Sequence, residues 1–322
     1  MLTDHSIVQA IALTLAQAIV LIALAPAIVG LIRKVKARFQ CRRGPGMFQP
    51  YADLRKLFGK QPVVSTTTSW IFTATPYIVF SSTMTAGLLV PVFASQMPLN
   101  FAGNIIAFVY LLALGTFFLI LAGLDAGSPF GGMGSSRESI VASLTEPAMI
   151  MAIFAIALAA GSTNLSTIVH KTALLEGIVI DPSSHVMALA ALFIVALAET
   201  GRVPVDNPAT HLELTMIHEA MVLEYSGRYL ALVEWASGIK LLVFLTLIAN
   251  VFVPWGIATS VTPADLSIGP AGYVVKVGGL AVLIGTIECM FAKLRLFRVT
   301  DLLGVAFILA LLGLLFFYIL RG

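Results

Sequence analysis

The chain has 322 residues, of which 59% are hydrophobic and only 11% are charged, and its mean hydropathy is +0.98. Because charged residues make up about a quarter of an ordinary soluble domain, this composition predicts an integral membrane protein. The net charge is +3, but no polar segment is long enough to present a groove to nucleic acid. The two cysteines lack Cys-x-x-Cys spacing, which excludes a disulfide framework and an iron–sulfur site in this chain.

Apolar runs long enough to cross a bilayer, about 20 residues each, recur along the chain. The first run is too long for the apolar region of a signal peptide and is expected to be a retained helix. We predict an all-α integral membrane protein with a single membrane domain over residues 1–322. Its eight or so transmembrane helices are expected at residues 7–32, 70–93, 103–124, 139–160, 185–200, 229–253, 272–292 and 299–320.

The distribution of basic residues predicts the orientation. Residues 33–69, between the first two spans, contain nine Lys and Arg, and later loops on the same side raise the total to fifteen, against two on the opposite side. Such an excess marks the cytoplasmic side of a membrane protein. We therefore expect both termini outside and the loops after the first, third, fifth and seventh helices in the cytoplasm. The basic cluster could also simply bind lipid headgroups.

A surface helix is expected over about residues 47–59, directly after the first span. Met47, Tyr51, Leu54 and Phe58 recur at helical spacing on one face, and charged residues occupy the other face. Such an amphipathic helix lies along the membrane surface. It could be an interfacial anchor, or it could form the floor or lid of a site between the membrane and a cytoplasmic partner.

The most polar part of the chain is the loop at about residues 200–228, on the predicted cytoplasmic side. A string that begins at His218 is similar to the zinc motif His-Glu-x-x-His, but the fifth position is Val222, so the motif fails. His211 and His218 alone supply too few ligands for a metal, and proton relay or hydrogen bonding is the better interpretation. A second polar segment, residues 131–134, is interpreted as a flexible cytoplasmic loop.

Ionisable side chains inside the predicted spans indicate an ion pathway, because such groups are costly in a bilayer. The deep ones are Glu146, Lys240 and Glu288. Those close enough to an interface to be solvated are Glu234, Lys276 and Asp301. Because burial moves the pKa values of acids and lysines toward the working pH, a series of such groups could pass protons.

Two motifs on the predicted cytoplasmic side resemble those of the respiratory complex I subunit 1 family. The first is Arg42-Arg43-Gly44-Pro45-Gly46 with the segment Gln49–Leu57, and the second begins at Glu199 and ends with Glu224-Tyr225-Ser226-Gly227. The resemblance covers nearly the whole chain and implies the same fold. The middle of the second motif retains only Glu213 from the acidic run of the quinone-reducing members. It is similar instead to the hydrogenase-linked branch, the membrane subunits of formate hydrogenlyase and hydrogenase-4 complexes.

This resemblance implies a subunit of the prokaryotic cytoplasmic (inner) membrane that anchors a redox arm and couples it to ion movement. The expected partners on the cytoplasmic face are the hydrogenase large and small subunits and an iron–sulfur subunit, which would hold the nickel–iron centre and the iron–sulfur clusters. Antiporter-like membrane subunits and lipid are expected around the spans. No cofactor or metal is expected in this chain, and no residue of it is predicted to be catalytic.

The candidate site residues fall into two groups. The predicted proton path consists of Glu146, Glu199, Asp206, Glu213, Glu219, Glu224, Lys240, Glu288 and Asp301. The predicted docking interface consists of Arg42, Arg43, Asp53, Lys56, Arg202, His211 and His218. Arg202 could instead form a structural ion pair with Asp206 or Glu199.

Two other functions fit parts of the pattern. One is the quinone-site subunit of a complex I-like NADH:quinone oxidoreductase, in which the first helix and the surface helix would shape a quinone chamber. The other is a stand-alone ion-coupled transporter, which would contain two halves related by an internal repeat. The sequence shows no such repeat.

Overall fold

The computed structural model describes residues 4–95, 103–174, 182–207, 216–254, 256–258 and 263–319. Within these residues the chain is helical and has isolated bridges but no strands, which confirms the predicted all-α class. The helices are α1 (Asp4–Phe39), α2 (Gln49–Phe58), α3 (Trp70–Leu89), α4 (Ile105–Asp125), α5 (Pro129–Ala160), α6 (Leu165–Leu174), α7 (Pro182–Glu199), α8 (His218–Val222), α9 (Gly227–Val251), α10 (Pro263–Met290) and α11 (Leu296–Ile319).

Among the described residues, seven helices are long and apolar enough to cross a membrane, namely α1, α4, α5, α7, α9, α10 and α11. The multi-pass membrane fold is therefore confirmed. The second predicted span, α3, is 20 residues long but less apolar, because threonines and serines recur along it. Its hydroxyls donate to carbonyls one turn back, as Thr75 does to Ile71 at 2.8 Å, which lowers the cost of burying them.

The bundle is assembled around α9, which is the most deeply buried of the seven spans. The helices α1, α2, α3, α7 and α10 all pack against it. A continuous cluster of buried apolar side chains joins α9 to these spans and to α4, α5 and α11. The predicted surface helix forms as α2 and lies against α1 and α9.

The start of α5 corrects one sequence interpretation. Residues 131–134 were predicted to be a flexible loop, and they form the first turns of α5 instead. Ser128 accepts a hydrogen bond from the Gly131 N–H at 3.1 Å, which caps the helix. Pro129 occupies the first turn, where its missing N–H would have no partner anyway. The helix consequently begins well before residue 139, the predicted start of this span.

Glycine in this first part of α5 permits close packing of the short helix α8. A Cβ atom at Gly134 would lie 2.9 Å from both the Ala220 Cβ and the Ile217 carbonyl oxygen. Because both contacts are closer than real Cβ atoms tolerate, a larger residue here would push α8 away. The sequence segment that looks like a loop is thus a packing surface for the polar segment after α7.

Prolines inside the helices leave carbonyls without an intrahelical donor, and aromatic side chains bond these carbonyls. Pro26 frees the carbonyl of Ile22 in α1, and Trp235 Nε1 donates to it at 3.1 Å. The hydroxyl of Tyr51 donates to the neighbouring carbonyl of Ala23. Since Trp235 lies on α9 and Tyr51 on α2, the proline break in α1 fixes the surface helix against the bundle.

Tyr225 bonds the corresponding carbonyl in α3. Pro76 frees the carbonyl of Phe72, and the Tyr225 hydroxyl donates to it at 2.9 Å. The two aromatic rings stack with their centroids 4.1 Å apart. Because Tyr225 is buried, this pair fastens the polar segment before α9 to the beginning of α3.

The two residues after Tyr225 attach the same segment to the chain that follows α2. Ser226 Oγ accepts from the Val63 N–H at 2.8 Å and donates to the Val63 carbonyl at 3.3 Å. Gly227 has φ of +55°, and a Cβ there would lie 2.6 Å from the Gln61 carbonyl oxygen. Both the backbone conformation and the available space therefore require glycine.

These attachments all lie at one end of the bundle, which we call the basic end because residues 33–60 are there. The helices α1, α4, α7 and α10 end at it, and α3, α5, α9 and α11 begin at it, in agreement with the predicted alternation of loops. At the opposite end, polar side chains donate hydrogen bonds to carbonyls just beyond the ends of α3 and α9. Gln17 donates to the Val90 carbonyl at 2.7 Å, and Lys276 donates to the Val253 carbonyl at 3.1 Å.

We expect Tyr225→Phe to destabilise the folded protein by about 1–3 kcal/mol, because the ring still stacks on Phe72 but the freed carbonyl loses its donor. The measurement is the thermal unfolding midpoint of the purified protein in detergent. Tyr110→Phe is the matched control, since Tyr110 is 62% exposed and its hydroxyl makes no hydrogen bond within the described residues. Equal midpoints for the two variants would contradict this account.

Candidate functional site

Buried charges gather at the basic end, where α5, α7, α9 and α10 meet the polar segment after α7. A buried charge is stable only when it is paired and hydrogen-bonded. Among the described residues, the ion pairs with a nearly fully buried carboxylate are Lys240–Glu199, Lys293–Asp206, Lys36–Glu288 and Arg202–Glu288. Each pair joins elements that are far apart in sequence.

One of these pairs lies between α7 and α9. Lys240 Nζ is 2.7 Å from Glu199 Oε2, and the two side chains are 16% and 5% exposed. Lys240 also donates to the Thr116 hydroxyl of α4 at 3.2 Å. Thr145 of α5 donates to the other oxygen of Glu199 at 2.5 Å. Four helices thus hold one ion pair, and both residues were predicted from the sequence.

Glu288 of α10 holds α1 and the segment after α7 together. Lys36 Nζ is 2.6 Å from Glu288 Oε2, and Arg202 donates to Glu288 Oε1 at 3.2 Å. Arg202 therefore pairs with Glu288, and not with Asp206 or Glu199 as the sequence allowed. Since two cations contact this carboxylate, Glu288 links α10 to α1 and to the segment after α7.

Asp206 has a positioning role. Its Oδ1 lies 2.5 Å from Lys293 Nζ, and its Oδ2 accepts from the backbone N–H groups of Ile217 and His218 at 3.1 and 3.2 Å. Asp206 is only 2% exposed, so these bonds are shielded from water. They fix the start of α8 next to the Lys240–Glu199 pair.

One acid of this cluster was missed by the sequence reasoning. Glu138 of α5 lines two small cavities, and Glu199 and His218 line both of them as well. The first cavity, of about 30 Å³, also contains Lys240, and the second, of about 10 Å³, contains Asp206. About 10–15 Å³ is enough for one water molecule, so the first cavity can hold water between these groups.

The neighbouring residues His218 and Glu219 of α8 have opposite electrostatic surroundings. Burial, together with the positive charge of Lys240, lowers the pKa of His218 to about 4. Burial, together with the negative charges of Glu234 and Asp206, raises the pKa of Glu219 to about 7, although Arg33 opposes this. At neutral pH, His218 is therefore neutral and Glu219 is close to half protonated.

A larger cavity of about 260 Å³ lies between α1, α2 and α9. Its charged lining residues are Arg33, Asp53 and Glu234, and the rest of its wall is apolar and includes Trp235. Arg33 and Asp53 approach each other to 3.9 Å, and both side chains are 47% exposed. The cavity therefore combines an apolar wall with a charged mouth at the basic end.

The remaining predicted site residues lie apart from this cluster or at its edge. Glu146 is half-buried on α5 and within electrostatic range of Glu199 and Lys240. The exposed ones are Arg42, Arg43, Lys56, Glu224 and Asp301. Two others, His211 and Glu213, lie outside the described residues.

A metal site would need at least three close ligands. Within the parts of the chain that the structure describes, no group of three or more His, Cys, Asp or Glu side chains is arranged in this way. The described cysteines Cys41 and Cys289 are both free thiols.

Comparison with known proteins assigns the chain to a family. Residues 11–319 match the family described as NADH dehydrogenase. The chain belongs to this family. The relationship to complex I subunit 1 that the sequence motifs predicted is therefore confirmed, and it extends over nearly the whole length of the chain.

Individual members of the NADH dehydrogenase family differ in how much of the chain they match. Hydrogenase-4 component C of Escherichia coli (strain K12) is 36% identical over 302 residues, which are 94% of this chain and 94% of that protein. Formate hydrogenlyase subunit 4 of the same organism is 36% identical and covers 88% of this chain and 90% of its own length. NADH-quinone oxidoreductase subunit 8 of Rhodothermus marinus is 30% identical and covers 68% of this chain and 66% of its own length.

The family fold is also found in a solved structure. One chain of the membrane-bound sulfane sulfur reductase, an archaeal respiratory membrane complex, superposes with a TM-score of 0.79 and 22% identity. The match covers 94% of this chain and 99% of that chain. At this identity the likeness supports the membrane fold alone.

The stability of the protein should depend on pH through Glu219. Because its pKa is raised from 4.5 to about 7, the folded state binds more protons than the unfolded state between these values, so stability falls as the pH rises through this window and stays low above it. Glu219→Gln removes this dependence. The increase in thermal midpoint of Glu219→Gln over the native protein should therefore be larger at about pH 8 than at about pH 5.

His218→Gln is the control of opposite sign. The pKa of His218 is lowered from 6.5 to about 4, so the native protein loses stability as the pH falls through this range. The increase in thermal midpoint of His218→Gln over the native protein should therefore grow as the pH is lowered. If the Glu219→Gln difference is the same at both pH values, the burial assigned to Glu219 is wrong.

Proposed function

We propose that this protein is the ion-coupling membrane subunit of a membrane-bound hydrogenase of the hydrogenase-4 or formate hydrogenlyase kind. The observation that carries the proposal is the extent of similarity. The hydrogenase-4 and formate hydrogenlyase relatives match nearly the whole chain, whereas the NADH-quinone oxidoreductase relative matches about two thirds of it. The names of all three relatives identify them as components of larger assemblies.

In this proposal the basic end faces the cytoplasm of a prokaryotic cell, and both termini lie on the other side of the inner membrane. The excess of Lys and Arg at this end supports the orientation. Arg42, Arg43 and Lys56 are exposed there, where they can form ion pairs with a peripheral arm. The half-buried Asp53 and Arg202, by contrast, are bonded within the chain and would support the surface from below.

The peripheral arm would consist of the hydrogenase large and small subunits and an iron–sulfur subunit. In this proposal these partners would hold the nickel–iron centre and the iron–sulfur clusters. Antiporter-like subunits and lipid would surround the spans. Redox chemistry would thus take place outside this chain, and the chain would respond to it electrostatically.

The arrangement of acids supports a proton route from the basic end to the buried pair. Glu234 lines the larger cavity. The carboxyl group of Glu219 interacts electrostatically with the carboxyl group of Glu234. His218, the neighbour of Glu219, lines the small cavities that contain Glu199. A group with a pKa near 7, as Glu219 has, can both accept and release a proton at working pH.

The larger cavity keeps a second candidate function open to test. Its position between α1 and the surface helix α2 is where a quinone-site subunit of a complex I-like enzyme would be expected to hold quinone. An apolar wall with a few polar groups is typical of small-molecule sites. Quinone reduction is the function that this observation favours.

Purification of the complex through an affinity tag on this chain separates the two functions. We expect mass spectrometry to identify the hydrogenase subunits, metal analysis to find nickel and iron in them, and the complex to evolve hydrogen at a rate unchanged by quinone or a quinone-site inhibitor. Co-purification of NADH dehydrogenase subunits with inhibitor-sensitive quinone reduction would instead establish the second candidate.

A further inference from the structure

The three acids around the small cavities differ in how their charge is compensated. Asp206 is saturated by Lys293 and by backbone N–H groups. Glu199 is held by Lys240 and Thr145. Glu138 forms no hydrogen bond or ion pair with any described residue, although it is half-buried. Of these acids it is the one whose charge state is not fixed by a partner.

The neighbouring cation on the same helix is not available to Glu138. Arg137 donates to the Met216 carbonyl at 3.0 Å and so supports the segment before α8. The other titratable groups that face Glu138 are Glu199, His218, Asp206 and Lys240, which line the cavities with it. Among these, Lys240 is the cation that attracts Glu138, whereas Glu199 and Asp206 repel it.

Helical spacing places Glu138 between the basic end and the buried pair. Glu138 and Thr145 are seven residues apart on α5 and share one face of the helix, about 10 Å apart along its axis. Thr145 binds the carboxylate of Glu199. Since α5 begins at the basic end, Glu138 lies about two turns closer to that end than the atom that binds Glu199.

Charge balance then links the two glutamates. The Asp206–Lys293 pair is neutral by itself, and His218 is neutral at working pH. This leaves two carboxylates and one ammonium group around the first small cavity. In such surroundings the three groups favour one added proton, held by one of the two carboxylates, because like charges at close range cannot both be stabilised by one cation.

We propose that Glu138 is the acid that exchanges protons with the basic end, and that it shares the Lys240 ammonium group with Glu199. In the arrangement seen here, Lys240 pairs with Glu199. When Glu138 loses its proton to water in the cavity, its carboxylate competes for Lys240 and weakens the pair. Return of a proton from hydronium to Glu138 leaves water and restores the pair. The role of this proton exchange in ion translocation rests on the proposed function, but the sharing of Lys240 between Glu138 and Glu199 does not.

Infrared difference spectroscopy of the purified complex, recorded as the pH is changed, tests the sharing directly. A protonated carboxyl group gives a separate C=O stretching band, and Glu138→Gln should remove one such band. Lys240→Met removes the cation that both acids use, so the band should persist to more alkaline pH by about one unit or more. Glu199→Gln leaves Lys240 to Glu138 alone, so the band should disappear at a more acidic pH.

Asp125→Asn is the matched control. Asp125 accepts a hydrogen bond from the Ser69 N–H at the basic end, outside the cluster, and asparagine keeps the acceptor. This variant should leave the Glu138 band where it is in the native protein. A spectrum of Glu138→Gln identical to the native one, or a band that Lys240→Met does not move, would overturn the proposal.

The role in proton exchange has its own test in vesicles that contain the complex. Glu138→Gln should lower the proton translocation that accompanies hydrogen evolution about tenfold or more. Glu138→Asp keeps a titratable group and should retain part of this translocation. Native translocation by an assembled Glu138→Gln complex would overturn the exchange role. If the native complex contains no hydrogenase, the proposed function fails, whereas the infrared experiment still decides whether Lys240 is shared.

Discussion

The rest of this structure depends on the cost of placing charge inside an apolar bundle. Lys240 and Glu199 lie within membrane-length helices, and each is stable there because the other lies 2.7 Å away and because Thr116 and Thr145 fill their remaining bonding positions. Removing one partner of such a pair costs about 3–5 kcal/mol, since the other charge remains buried. The positions of α4, α5, α7 and α9 are therefore coupled through one ion pair.

The same cost explains how the polar segment after α7 is folded. Glu288 and Asp206 fix its two sides through Arg202 and Lys293, and Tyr225 closes it against α3. The segment thus holds His218 and Glu219 between the larger cavity and the small ones.

The sequence predicts the fold well because hydropathy and charge asymmetry are local signals. The spans, the surface helix α2 and the buried Glu199 and Lys240 all follow from them. The start of α5 was missed, since the glycines of residues 131–134 look like a loop until α8 is seen to need close packing there. Glu138 was missed because it lies next to this glycine-rich segment. The partners of Arg202 and Asp206 were not predicted, because they are tens of residues away in the sequence and hydrophobic periodicity does not encode such contacts. The docking residues Arg42, Arg43 and Lys56 stay predictions.

We expect the Lys240–Glu199 pair to carry protons as well as to hold helices together. This is tested by proton translocation in vesicles that contain the complex with the double substitution Lys240→Met and Glu199→Gln, which removes both charges of the pair. We expect this complex to assemble and to evolve hydrogen with an artificial electron donor, but no longer to translocate protons. Translocation at the native rate by the double variant would show that the pair is structural and would contradict the account.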